Sequence, residues 1–349
     1  MKTIGIVAIG RNEGERLRRC LESVIGASVT VVYVDSGSTD GSVAIAREMG
    51  AQIVELDMAR PFSAARARNE GFQHLIQVAP DTEFVQFVDG DCEIVANWLR
   101  TAADELTAHP EYAVVCGRRR ERFPDASIYN KLCDIEWNTP VGEAKACGGD
   151  SMMRVKAFKE AGGFDASVIA GEEPELCFRL REKGWKIMRL DADMTLHDAA
   201  MTRFGQWWKR NVRGGHAYAQ GAHMHGSSQS KYNVRQTISN WVWGLALPLL
   251  IVICLGLPLF IVIPAFFTRG ISLLLLAMYP LLAARVRGHG RRRGMSNTDA
   301  RTWAIFIVLG KIPMALGQLK FTVSRLFGRT PQIIEYKHPS PPPTTAVHV

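Results

Sequence analysis

Two aspartates, Asp89 and Asp91, stand one residue apart at the end of an apolar run, in "VQFVDGDCEI". Side chains two positions apart point the same way while the backbone stays extended, and like charges so placed repel unless a cation lies between them. The pair is a cation site or, more blandly, a solvated Asp-Gly turn. "GEEPELCFRLREKG" gathers Glu172, Glu173 and Glu175 where a helical pattern starts. The helix dipole favours acids there, but three in four positions exceed what capping requires. One carboxylate aimed at an acceptor hydroxyl would be a general base, with the others holding substrate. His197, in "LDADMTLHDA", falls at another strand end; a lone histidine is ordinarily structural, but beside two aspartates it becomes a third ligand.

Other groups suit phosphates, bases and sugars. "VVYVDSGSTDGS" sets Asp35 before small polar residues and a helix. That is either a carboxylate for a base or ribose beside an anion site or a plain N-cap from Ser38 or Asp40. In "FSAARARNEGF", Arg66 and Arg68 precede Asn69 and would neutralise a diphosphate or decorate a solvated helix face. "FGQWWKRNVRGGH" puts Gln206, Trp207 and Trp208 beside Lys209, Arg210 and Arg213. These are membrane-interface anchors or a platform for a sugar with cations facing a phosphate.

The elements that must position these residues alternate. "IGIVAI", "VTVVYVDS", "QIVEL", "EFVQFVD" and "YAVVCG" are short β-rich runs separated by helical patterns. Such interleaving predicts an α/β fold with a mostly parallel sheet covered by helices on both faces. Ligands of such sheets bind beyond the carboxyl ends of the strands, where "GRNE", "DSGSTD" and "DGD" fall.

With 349 residues the chain exceeds a single core. The stretch from Gln236 to Thr268 has no Asp, Glu, Lys or Arg, and a membrane span needs about 20 apolar residues. We expect residues 1–235 to form a soluble domain and 236–286 to form two antiparallel spans kinked by Pro248, Pro258 and Pro264. Residues 287–301 then make a basic cytoplasmic loop. Residues 302–328 carry an apolar stripe interrupted by Lys311 and Pro313, which predicts an interfacial or re-entrant amphipathic helix, with a third span as the alternative. Residues 329–349 are a Pro-rich tail expected to be disordered. The net charge of +8 lies largely beside the apolar segments, which points to membrane topology rather than nucleic acid. Seven scattered cysteines with no CxxC pair fit a reducing compartment. No signal peptide is recognisable, so the first domain should be cytoplasmic, on a multi-pass inner-membrane protein.

Over residues 2–215 the ordered set "AIGRNEGERL", "VDSGSTDGS", "ARARNEG", "VDGDCE", "CGGDSMMRVKAF", "GGFD" and "GEEPELCFRLREKG" resembles the family-2 glycosyltransferases of the GT-A fold. The resemblance implies that Asp35, with Arg11, Asn12 and Glu13 nearby, contacts the base of a nucleotide-diphosphate sugar, for which UDP is the first choice. Asp89 and Asp91 would hold Mn²⁺ or Mg²⁺ against the diphosphate, with His197 matching a metal-ligating histidine of some members. Glu173 matches the catalytic base, and Glu172 is its alternative because the family usually has Asp at 173. Asp150, Glu175, Gln206, Trp207, Trp208 and Arg210 would lie on the acceptor or phosphate side. A base attacking through an acceptor hydroxyl from the opposite face inverts configuration. The implied acceptor is membrane-proximal, a lipid-linked or other glycan, as in polysaccharide or cell-envelope synthesis. "QWWKRN" departs from the Gln-x-x-Arg-Trp of processive members, which favours adding one sugar at a time. The competing readings are a non-catalytic scaffold of a polysaccharide-assembly complex and a nucleotidyltransferase, whose Gly-rich phosphate loop "GRNEGERL" does not supply.

Overall fold

A computed structural model describes residues 3–26, 29–256 and 265–328. The chain divides into two compact units, the first ending at Thr202 and the second beginning at Arg203. The expected domain boundary near 235 therefore falls inside the second unit.

The first unit is built on one nine-stranded sheet: β1 (Ile4–Gly10), β2 (Thr30–Asp35), β3 (Gln52–Glu55), β4 (Phe84–Asp89), β5 (Cys92–Ile94), β6 (Tyr112–Glu121), β7 (Gly142–Glu143), β8 (Ser151–Arg154) and β9 (Lys186–His197). The strand order is β3-β2-β1-β4-β8-β6-β9-β5, with β7 on β9. From β3 to β4 the pairing is parallel, as the interleaved pattern predicts. Beyond β4 the sheet is mixed: β8 runs antiparallel to both β4 and β6, β6 and β9 are parallel, and β5 and β7 are antiparallel to β9.

Its helices are α1 (Glu15–Glu22), α2 (Ser42–Glu48), α3 (Ala64–Val78), α4 (Trp98–Ala108), α5 (Ile128–Trp137), α6 (Val155–Glu160) and α7 (Glu172–Glu182). Apolar residues fill both faces of the sheet because strand side chains alternate. Ile6, Ala8, Tyr33 and Val88 pack into one buried cluster with Leu17 and Trp98, whereas Val7, Val32, Val85 and Phe87 pack into another with Phe72 and Leu75. Two apolar layers of this kind fix the strand register, because a one-residue slip would exchange the faces. The carboxyl ends of β1, β2 and β4 are thereby held level, with Gly10 opposite Asp35 and Ile9 opposite Asp89.

The second unit is helical: α8 (Phe204–His225), α9 (Val234–Trp241), a π-helical stretch (Val242–Ala246), α10 (Leu247–Gly256), α11 (Ala265–Arg292), α12 (Asn297–Leu309) and α13 (Lys311–Leu326). Among the described residues, three helical segments are long and apolar enough to cross a membrane: Val234–Leu255, Arg269–Arg292 and Asn297–Leu326. Pro248 has no amide proton for the carbonyl of Gly244, which lies within the π stretch where the helical ladder already changes register. Most of the expected basic loop is helical. Arg285, Arg287, Arg291 and Arg292 belong to the last turns of α11, and only 293–296 separate it from α12. Lys311, the charge that argued against a third span, donates from Nζ to Ser239 Oγ at 3.1 Å and Asn240 Oδ1 at 3.0 Å, the kind of internal pairing that lets a cation lie among apolar helices. Helices α8 and α13 meet backbone to backbone. A Cβ on Gly215 would lie 1.9 Å from the Met314 carbonyl, and one on Gly317 1.9 Å from that of Val212. Pro258, Pro264 and the tail 329–349 lie outside the described residues.

Candidate active site

Strand β4 ends at Asp89, and its turn through Gly90 hands the chain to β5 after Asp91. Because β5 pairs with β9 in the register Cys92 to His197, the imidazole is delivered to Asp91 from a strand more than 100 residues away. His197 Nε2 lies 3.4 Å from Asp91 Oδ2, and Nδ1 lies 3.6 Å from Glu121 Oε2 on β6. All three are buried, and the Trp137 ring closes on the histidine edge-on at 4.6 Å.

Asp89 is held differently. Arg68, 2% exposed, donates from Nη2 to Asp89 Oδ1 and from Nη1 to Glu172 Oε1, each at 2.7 Å. Burial opposes the charge on Arg68, but Asp89 and then Glu172 outweigh it and raise its pKa. Arg119 of β6 approaches Asp89 Oδ2 at 3.8 Å and pairs with Asp150 Oδ2 at 2.8 Å. Two guanidinium groups thus balance the repulsion that the Asp-Gly-Asp spacing creates. Gly149 is packed against all of them: an added Cβ would sit 3.0 Å from Arg68 Nη2, 3.1 Å from Asp89 Oδ2 and 3.2 Å from Arg119 Nη2.

Asp150 is fully buried, accepts the Asp89 amide at 3.0 Å and the Thr195 hydroxyl at 2.8 Å, and so positions the end of β4. This internal role differs from the substrate-facing one expected of it. Asp35 closes a turn: Oδ2 accepts the amides of Gly37 at 2.9 Å and Ser38 at 2.8 Å, while the Tyr33 hydroxyl donates to Oδ1 at 3.0 Å. Asn12, at φ 56°, ties the β1 exit to the β2 exit by donating its amide to Ser38 Oγ and accepting the Thr39 amide on Oδ1. Arg11 lies over the Phe62 ring at 5.1 Å, and Glu13 pairs with Arg16 at 2.9 Å. Residues 11–13 and Asp35 are therefore one connected corner.

The acidic cluster of α7 separates by residue. Glu172 faces Arg68. Glu173 Oε1 accepts the Cys147 amide at 2.5 Å and both the Cys147 and Cys177 thiols, at 3.0 and 3.1 Å. Glu175 makes two 2.7 Å bonds with Arg179, an intrahelical pair. Arg66 is likewise turned away from Asp89: it bonds Glu70 at 2.6 Å and the carbonyls of Asp57 and Arg60. Asn69 clamps Phe164, giving to its carbonyl at 2.7 Å and accepting from its amide at 2.9 Å. Gln206, Trp207, Trp208 and Arg210 lie on α8 in the second unit. There Gln206 Oε1 accepts the Arg203 amide at 2.9 Å and Trp207 packs on Phe306 at 5.1 Å.

Asp91 and His197 offer a carboxylate and an imidazole, donors that suit a divalent cation of the manganese or magnesium kind, whereas Asp89 groups with Asp150 instead. Asp91 and His197 can bring ligand atoms within 4.8 Å of one another, and His197 Nδ1, although buried, has no hydrogen-bond partner. Asp91 and His197 fit such an ion as two of its ligands.

A mixed sheet with this site at the exits of its parallel strands is the GT-A fold. Residues 6–161 match the family model for glycosyl transferase family 2. It is similar to the succinoglycan biosynthesis protein ExoA of Rhizobium meliloti, 28% identical over 52% of this chain and 58% of that one. It is also similar to the pre-mycofactocin glycosyltransferase of Mycobacterium tuberculosis, 26% identical over 60% of this chain and 46% of that one. The chain thus spans about half the length of these curated relatives, at 58% and 46%. Among solved structures, the mannosyltransferase PcManGT of Pyrobaculum calidifontis, in complex with GDP-Man and Mn²⁺, superposes with a TM-score of 0.58 at 16% identity, covering 90% of this chain and 86% of that one.

Proposed function

We propose that the chain is a metal-dependent inverting glycosyltransferase that moves a sugar from a nucleotide-diphosphate donor to a membrane-proximal, lipid-linked or glycan acceptor, one residue at a time. The observation that carries this reading is the buried Asp91–His197 pair just past the β4 exit, at 3.4 Å, with Asp89 at that exit joined to Glu172 through Arg68. Asp91, His197 and Asp89 would hold Mn²⁺ or Mg²⁺, which when bound offsets negative charge on the departing nucleoside diphosphate. Asp35 and residues 11–13 form the corner for the base, with Asp35 Oδ1 keeping acceptor capacity beyond its bond to Tyr33.

Glu173 is the better base of the two glutamates. Glu172 is committed to the Arg68 guanidinium through a charge-assisted bond. Glu173 is held by an amide and two thiols, which are neutral donors, so it can accept a proton from an acceptor hydroxyl with less lost. The three apolar helical segments support an acceptor carried at a membrane surface, with the first unit on the cytoplasmic side of an inner membrane.

The test is to supply the detergent-solubilised chain with labelled nucleotide sugars and a lipid extract and to score transfer of label into the lipid phase. Transfer with inversion at the anomeric carbon, lost in Asp91→Asn and Glu173→Gln, is the expected result. Transfer that survives both substitutions contradicts the mechanism, and a chain that binds glycan without transfer would be the scaffold.

A further inference from the structure

The thiols of Cys147 and Cys177 have no part in the proposed transfer, yet both are directed at the Glu173 carboxylate, at 3.0 and 3.1 Å from Oε1, and lie 3.5 Å from each other. Glu173 and Cys177 are four residues apart on α7, so they share a helix face one turn apart. Cys147 arrives from the segment between β7 and β8, which also brings its amide to Glu173. We infer that Cys147, Glu173 and Cys177 form a binding site for one thiophilic divalent cation of the zinc and cadmium class.

The geometry is close to what such an ion needs. Tetrahedral coordination with metal–sulfur bonds of about 2.3 Å and a metal–oxygen bond of about 2.1 Å separates the sulfurs by about 3.8 Å and sulfur from oxygen by about 3.6 Å. The three atoms must spread by up to about 0.6 Å, and Cys147 is only partly buried, so its segment has room to give. Binding releases one proton from each thiol and none from the carboxylate, leaving a cation bound by two thiolates and one carboxylate oxygen. Burial foremost raises the pKa of both thiols, so without metal they stay protonated and resist oxidation. The soft pair separates this site from the hard Asp89 and Asp91 site, which magnesium or manganese prefers. An ion here would occupy Glu173 and block proton transfer. That consequence rests on Glu173 being the base, whereas the binding itself does not.

The test is a titration of the full chain in detergent with cadmium chloride, in excess Mg²⁺, following ultraviolet thiolate-to-cadmium absorption. One saturating equivalent is expected, with affinity at least about tenfold weaker in Cys147→Ser and in Glu173→Gln, each variant first checked by circular dichroism. No band in the wild-type chain overturns the site. So does a band that folded Cys147→Ser retains unchanged, because it then belongs to the remaining cysteines. A wild-type band that saturates without inhibiting transfer leaves the site standing and overturns Glu173 as the base.

Discussion

Arg68 Nη2 donates to Asp89 Oδ1 at 2.7 Å while its other amino group holds Glu172 at the same distance, so one buried guanidinium joins the strand β4 exit to the first turn of α7. Arg68→Ala should lower the thermal midpoint of the first unit by the equivalent of about 3 kcal/mol, because it leaves the buried Glu172 carboxylate without its guanidinium partner. Differential scanning calorimetry checks this. An unchanged midpoint would mean that solvent already satisfies both acids.

A methyl group at Gly149 would crowd Arg68, Asp89 and Arg119, at 3.0 to 3.2 Å, and push those side chains apart by a few tenths of an ångström. Gly149→Ala should weaken metal-dependent nucleotide binding by about 1–3 kcal/mol, roughly 5- to 150-fold in Kd, while leaving the melting of the second unit unaltered. Equilibrium binding of a labelled nucleoside diphosphate would reveal it.

Much of this site is legible in the sequence where periodicity governs. Strand alternation and strand exits single out Asp35, Asp89 and Asp91, and the family order adds His197. Arg66 and Arg68 show where that reasoning fails: two positions on a helix are about 200° apart, so one reaches Asp89 and the other holds its own loop. The adjacent Glu172 and Glu173 diverge for the same reason, by about 100°. Arg119, Glu121 and Thr195 were illegible because they depend on β8 inserting antiparallel and on register shifts between β6 and β9, neither of which local pattern encodes. The run "RRRE" extends β6 past the apolar "YAVVCG", and a longer strand there was the available signal.

Glu173→Gln should reduce kcat by about 10²- to 10⁴-fold, the contribution of a positioned general base. Glu172→Gln should act chiefly on stability and donor affinity by releasing Arg68. Steady-state kinetics of the two variants separate the roles, and a larger kcat loss in Glu172→Gln would reverse the assignment.

His216 of α8 is buried, and burial lowers its pKa from 6.5 to about 4. Between those values the unfolded chain binds a proton that the folded chain does not. The stability due to the neutral ring is therefore full above about pH 6.5 and is lost as pH falls toward 4, up to about 3 kcal/mol. Urea midpoints at neutral pH and near pH 5 should differ by about 2 kcal/mol more in the wild type than in His216→Gln.

If Asp91 and His197 hold a cation for a nucleoside diphosphate, nucleotide binding must depend on both the metal and Asp91. Calorimetric titration of the solubilised chain with UDP, GDP, dTDP and CMP, with and without Mn²⁺, on wild type and Asp91→Asn, tests it most directly. One nucleotide should bind only with metal, and the substitution should abolish that binding. Binding that ignores both the metal and Asp91 would contradict it.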